Sequence, residues 1–213
     1  MHSIITIGRQ YGSGGRLIGK RLAEELDIPY YDREILTLSA QESGIGEELF
    51  QEYDEKPTRS FLFSLVAGMP GRGGAGAYYM DMPLNHKIFL AQFDTIKRIA
   101  SQGPCVIVGR CADYVLSDNK NAVNVFVKAS MEVKKQRVIA YYGIDKDKAE
   151  DVIIKTDKRR ASYYNYYANT RWGDLDNYHL VIDSGALGID GSAAIIREFI
   201  NGREGKIRAE AKG

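Results

Sequence analysis

Long apolar runs are missing from this chain of 213 residues. No stretch approaches the ~18 to 20 apolar residues that span a bilayer, which excludes a membrane-crossing helix as the organising element. Nor does a basic segment precede a longer apolar run near the start. Met1 leads directly into the strand-like Ser3-Ile4-Ile5-Thr6-Ile7, so no signal peptide is expected and the cytoplasm is the expected compartment. Cysteine is scarce, with Cys105 and Cys111 the only two. They match neither a metal-ligand spacing nor a secreted disulfide framework, and reduced thiols are expected, with Cys105 a small strand residue. A dominant charge is missing as well: Lys plus Arg total 29 and Asp plus Glu 28. That balance excludes a global field for nucleic acid or an anionic membrane, so an anion site has to be built locally. No internal repeat is present.

The remaining composition is that of an ordinary globular protein, with 44% apolar and 27% charged residues. The length supports one sizeable core, and a single domain over 1–213 is expected. The apolar run Ile4 to Ile7, a glycine-rich turn and an amphipathic stretch with Leu17, Ile18, Leu22 and Leu26 predict strand, loop and helix. Pro29-Tyr30-Tyr31 predicts a short strand, and Arg33 to Glu42 a helix interrupted by Gly44 and Gly46. Gly68 to Gly76 has little periodicity and reads as a loop, lid or disordered stretch. Ile88, Phe89, Phe93, Ile96 and Ile99 predict a helix ended by Gly103-Pro104. Val106 to Val108, Val123 to Val127 and Val181-Ile182 predict further strands. Helices are expected over Met131 to Tyr141, about Asp145 to Tyr167, and Ile189 to Ile200. Continuous apolar strands alternating with helices indicate an α/β fold, a parallel sheet covered on both faces.

Gly8-Arg9-Gln10-Tyr11-Gly12-Ser13-Gly14-Gly15 lies between the first strand and the first helix, where backbone N–H groups and the helix dipole face an anion. Glycine lets the backbone bend tightly and approach phosphates without a Cβ in the way. Gly8, Gly12, Ser13, Gly14, Gly15 and Arg16 are therefore the candidate nucleotide-phosphate residues. The alternative is a flexible strand-to-helix connection. The standard loop, G-x-x-x-x-G-K-[ST], uses Lys on the β/γ-phosphates and a hydroxyl on Mg²⁺. Here Gly15, Arg16 and Leu17 follow the last turn, so both groups are missing. Arg16, or else Arg9, can supply the positive charge, and Ser13 is the nearest hydroxyl for a metal.

These features resemble the bacterial cytidylate kinase family, and more closely its cytidylate-kinase-like branch. The resemblance runs over nearly the whole length, through GRQYGSGGRLIGKRLAEEL, YYDREIL, VIVGRCADYVL, VNVFVKASMEVKKQRV, TDKRRASYYNYY and NYHLVIDSGALGID. It implies a three-layer P-loop fold with an acceptor-side insertion at about 44–86 and a lid at about 143–172. By the same resemblance Arg110 meets the acceptor phosphate, and Arg33 lies near phosphate, with Asp32 near sugar, base or metal. Arg159 and Arg160 are implied as lid residues that close on the transferring group. Arg137 matches an arginine-bearing helix and is implied as a substrate-binding residue, and Asp183 matches a position near the nucleotide. Where the family has Asp after its strand-end Arg, this chain has Cys111, and Asp113 is the candidate substitute.

Each position has a plainer reading. Asp32 can cap a helix, Asp157 and Arg160 can pair at i,i+3 on a solvated helix, and Asp183 can begin a turn. Tyr163, Tyr164, Tyr166, Tyr167 and Trp172 are expected to be mostly structural. The leading functional expectation is ATP-dependent, Mg²⁺-assisted phosphoryl transfer to a nucleoside monophosphate, CMP or dCMP first. The alternatives are a nucleotide-binding regulatory module without transfer, and a kinase for another small acceptor.

Overall fold

In a computed structural model, residues 2–55 and 82–210 are described; the Gly68 to Gly76 stretch lies outside them. Five strands form one sheet: β1 (Ile4–Arg9), β2 (Tyr30–Tyr31), β3 (Cys105–Val108), β4 (Ala122–Lys128) and β5 (Leu180–Asp183), in the order β2-β3-β1-β4-β5. Every pairing is parallel. The register aligns Ile7 with Val108 on one side and with Val125 on the other.

The period of two in the strands divides the core between two layers. Ile5, Ile7, Val106, Val108, Val123, Val125 and Val127 face α1 (Gly15–Leu26) and α8 (Ser184–Glu210), meeting Ile18, Leu22, Ile196 and Ile200. Ile4, Cys105 and Ile107 face the opposite layer. There they meet Ile35 of α2 (Glu34–Ser43), Ile96 and Ile99 of α4 (Leu84–Gln102), and Ala112 and Val115 of the short α5 (Ala112–Val115). Phe50 of α3 (Glu47–Tyr53) closes a satellite cluster against Leu36 and Ile88. The three-layer fold expected from the alternation is observed.

Boundaries differ from the periodicity where local hydrogen bonds intervene. α6 (Met131–Tyr142) starts with Ser130 as its cap. The charged helix α7 (Ala149–Ala168) begins four residues later than Asp145 because the Asp145 side chain accepts from the Asp147 N–H, forming a turn instead. The closing helix α8 is longer than Ile189 to Ile200 and contains a break at Gly188, with φ +69°.

The chain leaves β1 through α1 on one face and leaves β3 through α5 on the other. Since β1 and β3 are neighbours, a crevice opens at their C-terminal ends, the position where open α/β sheets bind ligands.

Candidate active site

The loop after β1 is folded by its glycines and fastened from outside. Gly12 and Gly14 take φ of +77° and +81°. A Cβ on Gly12 would stand 2.8 Å from the Lys134 carbonyl, so the loop approaches α6 too closely for any other residue. Arg137 of α6 donates to the Ser13 carbonyl at 2.8 Å and to the Ser184 carbonyl at 2.9 Å. It therefore stands behind the loop and does not line the cleft, unlike the substrate-side position expected for it. Asp157 accepts from the Tyr11 N–H at 2.6 Å and pairs with Lys134 at 3.3 Å. Its carboxylate is thus spent on the loop and on α6, and not on the plainer i,i+3 pairing with Arg160. The Ser13 hydroxyl is fully buried and donates to the Gln10 carbonyl at 2.8 Å. It is turned into the loop, contrary to its expected place toward a metal.

In front of the loop lies a cleft of about 280 Å³, lined among others by Gly12, Gly14, Gly15, Arg16, Arg33, Arg110, Arg159 and Arg160. Arg33 and Asp54 also line an adjoining cavity of about 500 Å³ beside Thr37, Glu47 and Gln51. Gly109, Arg110 and Cys111 all take positive φ, of +79°, +53° and +54°. This sharp left-handed turn at the end of β3 folds the Arg110 side chain back into the crevice. Its guanidinium is 2% exposed and reaches Asp32 at 3.4 Å and Asp54 at 3.0 Å, while Nε has no partner among the described residues. Asp32 also takes Arg16 Nε at 2.8 Å, and Arg33 occupies the cap position of α2 without a side-chain cap bond. The helix-cap reading of Asp32 is thus replaced by a carboxylate shared between two arginines.

Arg160 approaches the cleft from α7, and Arg9 from the end of β1. Both pair with Glu55, at 2.9 and 2.8 Å. Burial alone would raise the Glu55 carboxyl, but Arg9, Arg160 and Arg110 reverse this and hold it well below the usual carboxylate range. Burial and the neighbouring Arg9 lower Arg160, with Glu55 opposing them. For Asp54 burial prevails and the carboxyl is raised, despite Arg110. Arg159 is exposed on the same rim.

Asp113 and Asp183 do not line this cleft either. Asp113 is buried, shares with Arg9, Glu55, Arg110 and Arg160 the lining of a small cavity of about 20 Å³, and accepts from the Tyr164 hydroxyl at 2.7 Å; burial raises its carboxyl. Asp183 ends β5, pairs with Lys128 at 3.1 Å and accepts from the Gly185 N–H, the turn role of its plainer reading. Tyr163, Tyr164, Tyr167 and Trp172 pack with Phe89 and Cys111, as their structural reading expects. Burial pushes the Cys105 thiol up to about 12 and the Cys111 thiol well above its usual value. Both thiols should resist iodoacetamide in the native protein at pH 8 and react fully once unfolded in urea, which mass spectrometry would read.

The geometry is a glycine loop and converging arginines at the switch point of a parallel sheet, and comparison with known proteins gives the same direction. The profile of the cytidylate kinase-like family matches residues 4–186. The chain belongs to this family. A cytidylate kinase from Methanocaldococcus jannaschii is 27% identical over 202 residues, covering 93% of this chain and 97% of that protein. An uncharacterised protein from Eubacterium ventriosum has a crystal structure that superposes with a TM-score of 0.68 at 29% identity, covering 93% and 98% of the two chains. A shikimate kinase from Bacteroides thetaiotaomicron, at 15% identity and a TM-score of 0.53 over 94% and 99%, shares the fold. This cytidylate kinase-like chain therefore has a P-loop kinase fold. No helix among its described residues is long and apolar enough to cross a membrane.

Sequence reading passed over Asp54 and Glu55 and ranked Arg9 second. The two acids follow α3 at the edge of an aperiodic stretch, and no local motif marks them. Glu55 is 105 residues from Arg160, a distance closed only by folding.

Proposed function

We propose that this protein is an ATP-dependent nucleoside-monophosphate kinase with CMP or dCMP as acceptor. The observation that carries the reading is the convergence of Arg9, Arg16, Arg110 and Arg160 on one cleft in front of the phosphate loop. With Arg33 and Arg159 the lining carries six arginines against three carboxylates, Asp32, Asp54 and Glu55, and phosphoryl transfer requires dispersed positive charge around donor and acceptor oxygens. The name cytidylate kinase carried by the relatives supports the choice of acceptor.

In this reading the donor phosphates lie on the N–H groups of Gly12 to Arg16, with Arg16 supplying the charge of the missing lysine. The acceptor phosphate meets Arg110 and Arg33, and its sugar and base extend into the adjoining cavity. Arg159 and Arg160 close from α7 on the transferring group and help exclude water. No three acidic, His or Cys groups cluster as metal ligands among the described residues. Mg²⁺ fits here as an ion held chiefly by donor phosphates, its common mode in kinases.

A second reading, nucleotide binding without transfer, draws on the inward-turned Ser13 hydroxyl and the absent loop lysine. Purified protein with ATP, Mg²⁺ and a panel of nucleoside monophosphates and other small acceptors separates the two. ADP formation is expected to depend on the acceptor and to be fastest with CMP or dCMP. Nucleotide binding without ADP would sink the kinase reading.

A further inference from the structure

Glu55 combines three features that an ordinary ion pair does not require. Its backbone stands at φ +49°, a left-handed conformation uncommon for residues with a Cβ. Its carboxylate is 8% exposed, and its two oxygens are divided between two elements, one taking Arg9 of β1 at 2.8 Å and the other Arg160 of α7 at 2.9 Å. Gly109 leaves open the space that the Arg9 guanidinium fills, because a Cβ there would collide with it. An uncommon backbone conformation, a glycine clearance and two arginines far apart in sequence thus converge on one bridging anion.

Two oxygens on two separate guanidiniums is also how a phosphoryl group is held. We propose that Arg9 and Arg160 form a phosphoryl-binding subsite and that Glu55 is its built-in occupant, filling it until a phosphate displaces it. The identity of that phosphate as the transferring group of a nucleotide rests on the kinase reading above; the subsite itself does not. With Glu55 in place one of the two positive charges is offset without ligand, which lessens the repulsion between like charges side by side in a desolvated pocket. Exchange of the carboxylate for a phosphate keeps an anion between the guanidiniums and offsets the remaining positive charge as well. It also frees the residue two positions beyond α3, so filling the subsite moves the segment that borders the adjoining cavity. Glu55 therefore competes with bare polyphosphate.

A purely structural Glu55 would act with the opposite sign, since removing it would misplace both arginines and weaken anion binding. Calorimetric titration of wild type and Glu55→Gln with tripolyphosphate, without nucleoside, distinguishes the two. Tighter binding by E55Q, by roughly tenfold or more, is expected because the competing occupant no longer holds the site. Unchanged or weaker binding overturns the proposal. Glu198→Gln removes the same charge from an exposed position on α8 that lines neither cavity and should change affinity less than about twofold; an equal gain would reduce the effect to net charge and overturn it. Adding Arg160→Ala to E55Q should abolish the gain, and a gain that persists means the subsite lies elsewhere. Should E55Q fail to fold by circular dichroism, Glu55→Asp, too short to span both guanidiniums, must also tighten binding. A gain in E55Q from a protein that forms no ADP with any acceptor would overturn the kinase reading and uphold the subsite.

Discussion

Arg110→Ala is expected to lower kcat/KM for the monophosphate by roughly 10²- to 10³-fold, the range found when one preorganised charge donor is removed from a transition state. Two arrangements make this residue sensitive. Its guanidinium is almost fully buried, where charge is weakly screened, and its Nε has no partner among the described residues, a donor unspent before substrate arrives. The substitution also removes the cation between Asp32 and Asp54. Asp32 keeps Arg16, but Asp54 loses its arginine, and a cost of about 3 kcal/mol in urea unfolding is expected, the lower end for breaking a buried pair. Arg110→Lys should restore much of the stability and little of the turnover, because one ammonium cannot reach both carboxylates and a phosphate at once. Steady-state kinetics with ATP and CMP, alongside urea titration, would measure both. Unchanged turnover in R110A would remove Arg110 from the acceptor site.

Gly12→Ala is expected to be the most damaging single-methyl change in the phosphate loop. Its φ of +77° costs an L-residue about 1 to 2 kcal/mol. The new Cβ would also stand 2.8 Å from a backbone carbonyl, that of Lys134, which is fixed in α6 and cannot swing aside. Gly44→Ala is the matched control, because Gly44 has φ +71° and nothing within 4 Å of an added Cβ. The difference between the two variants isolates the clash. A total near 3 kcal/mol is expected for G12A and about 1 to 2 kcal/mol for G44A. The loop in G12A must lift from α6, which pulls on the Asp157 and Arg137 contacts as well. ATP affinity should fall by at least about tenfold in G12A and remain unchanged in G44A. Equal affinities in the two variants would show that the seat of the loop on α6 does not govern the phosphate site.

Much of the fold was legible because its signals are local. Ile4 to Ile7 and Val123 to Val127 are apolar runs broken only by Thr6 and Asn124, a pattern that suits strands covered on both faces, and both are strands in the central sheet, where the Thr6 hydroxyl donates to Asn124 at 2.8 Å. The site was legible in part for the same reason. Gly8 to Gly15 advertise their backbone freedom in sequence, and Arg110 follows a strand at the end where ligands bind. Arg137 was read toward the ligand, yet it holds the loop from behind through carbonyls of Ser13 and Ser184. A helix face shows where a side chain starts and leaves open which neighbour it meets. Asp113 was offered as a substitute for an acid at Cys111. After the left-handed turn through Cys111 it is bonded to the Tyr164 hydroxyl instead, in a small cavity beside the cleft and not in the cleft lining.

The amino-acid sequence by itself determined a parallel α/β sheet, a glycine loop after its first strand and a local, not global, concentration of positive charge. Each of these follows from composition or from periodicities that repeat within a few residues. Only the tertiary structure decided that Arg9 and Arg160 share Glu55, and that Arg110 rests between Asp32 and Asp54. Those partners are 46 to 105 residues apart in the pairs of Glu55 and 56 to 78 in those of Arg110. Opposite charges in a sequence have no preferred partner. The order of the strands and the left-handed turn at Gly109 to Cys111 bring these particular groups together where water is scarce, and there the choice of partner sets the charge state of the site.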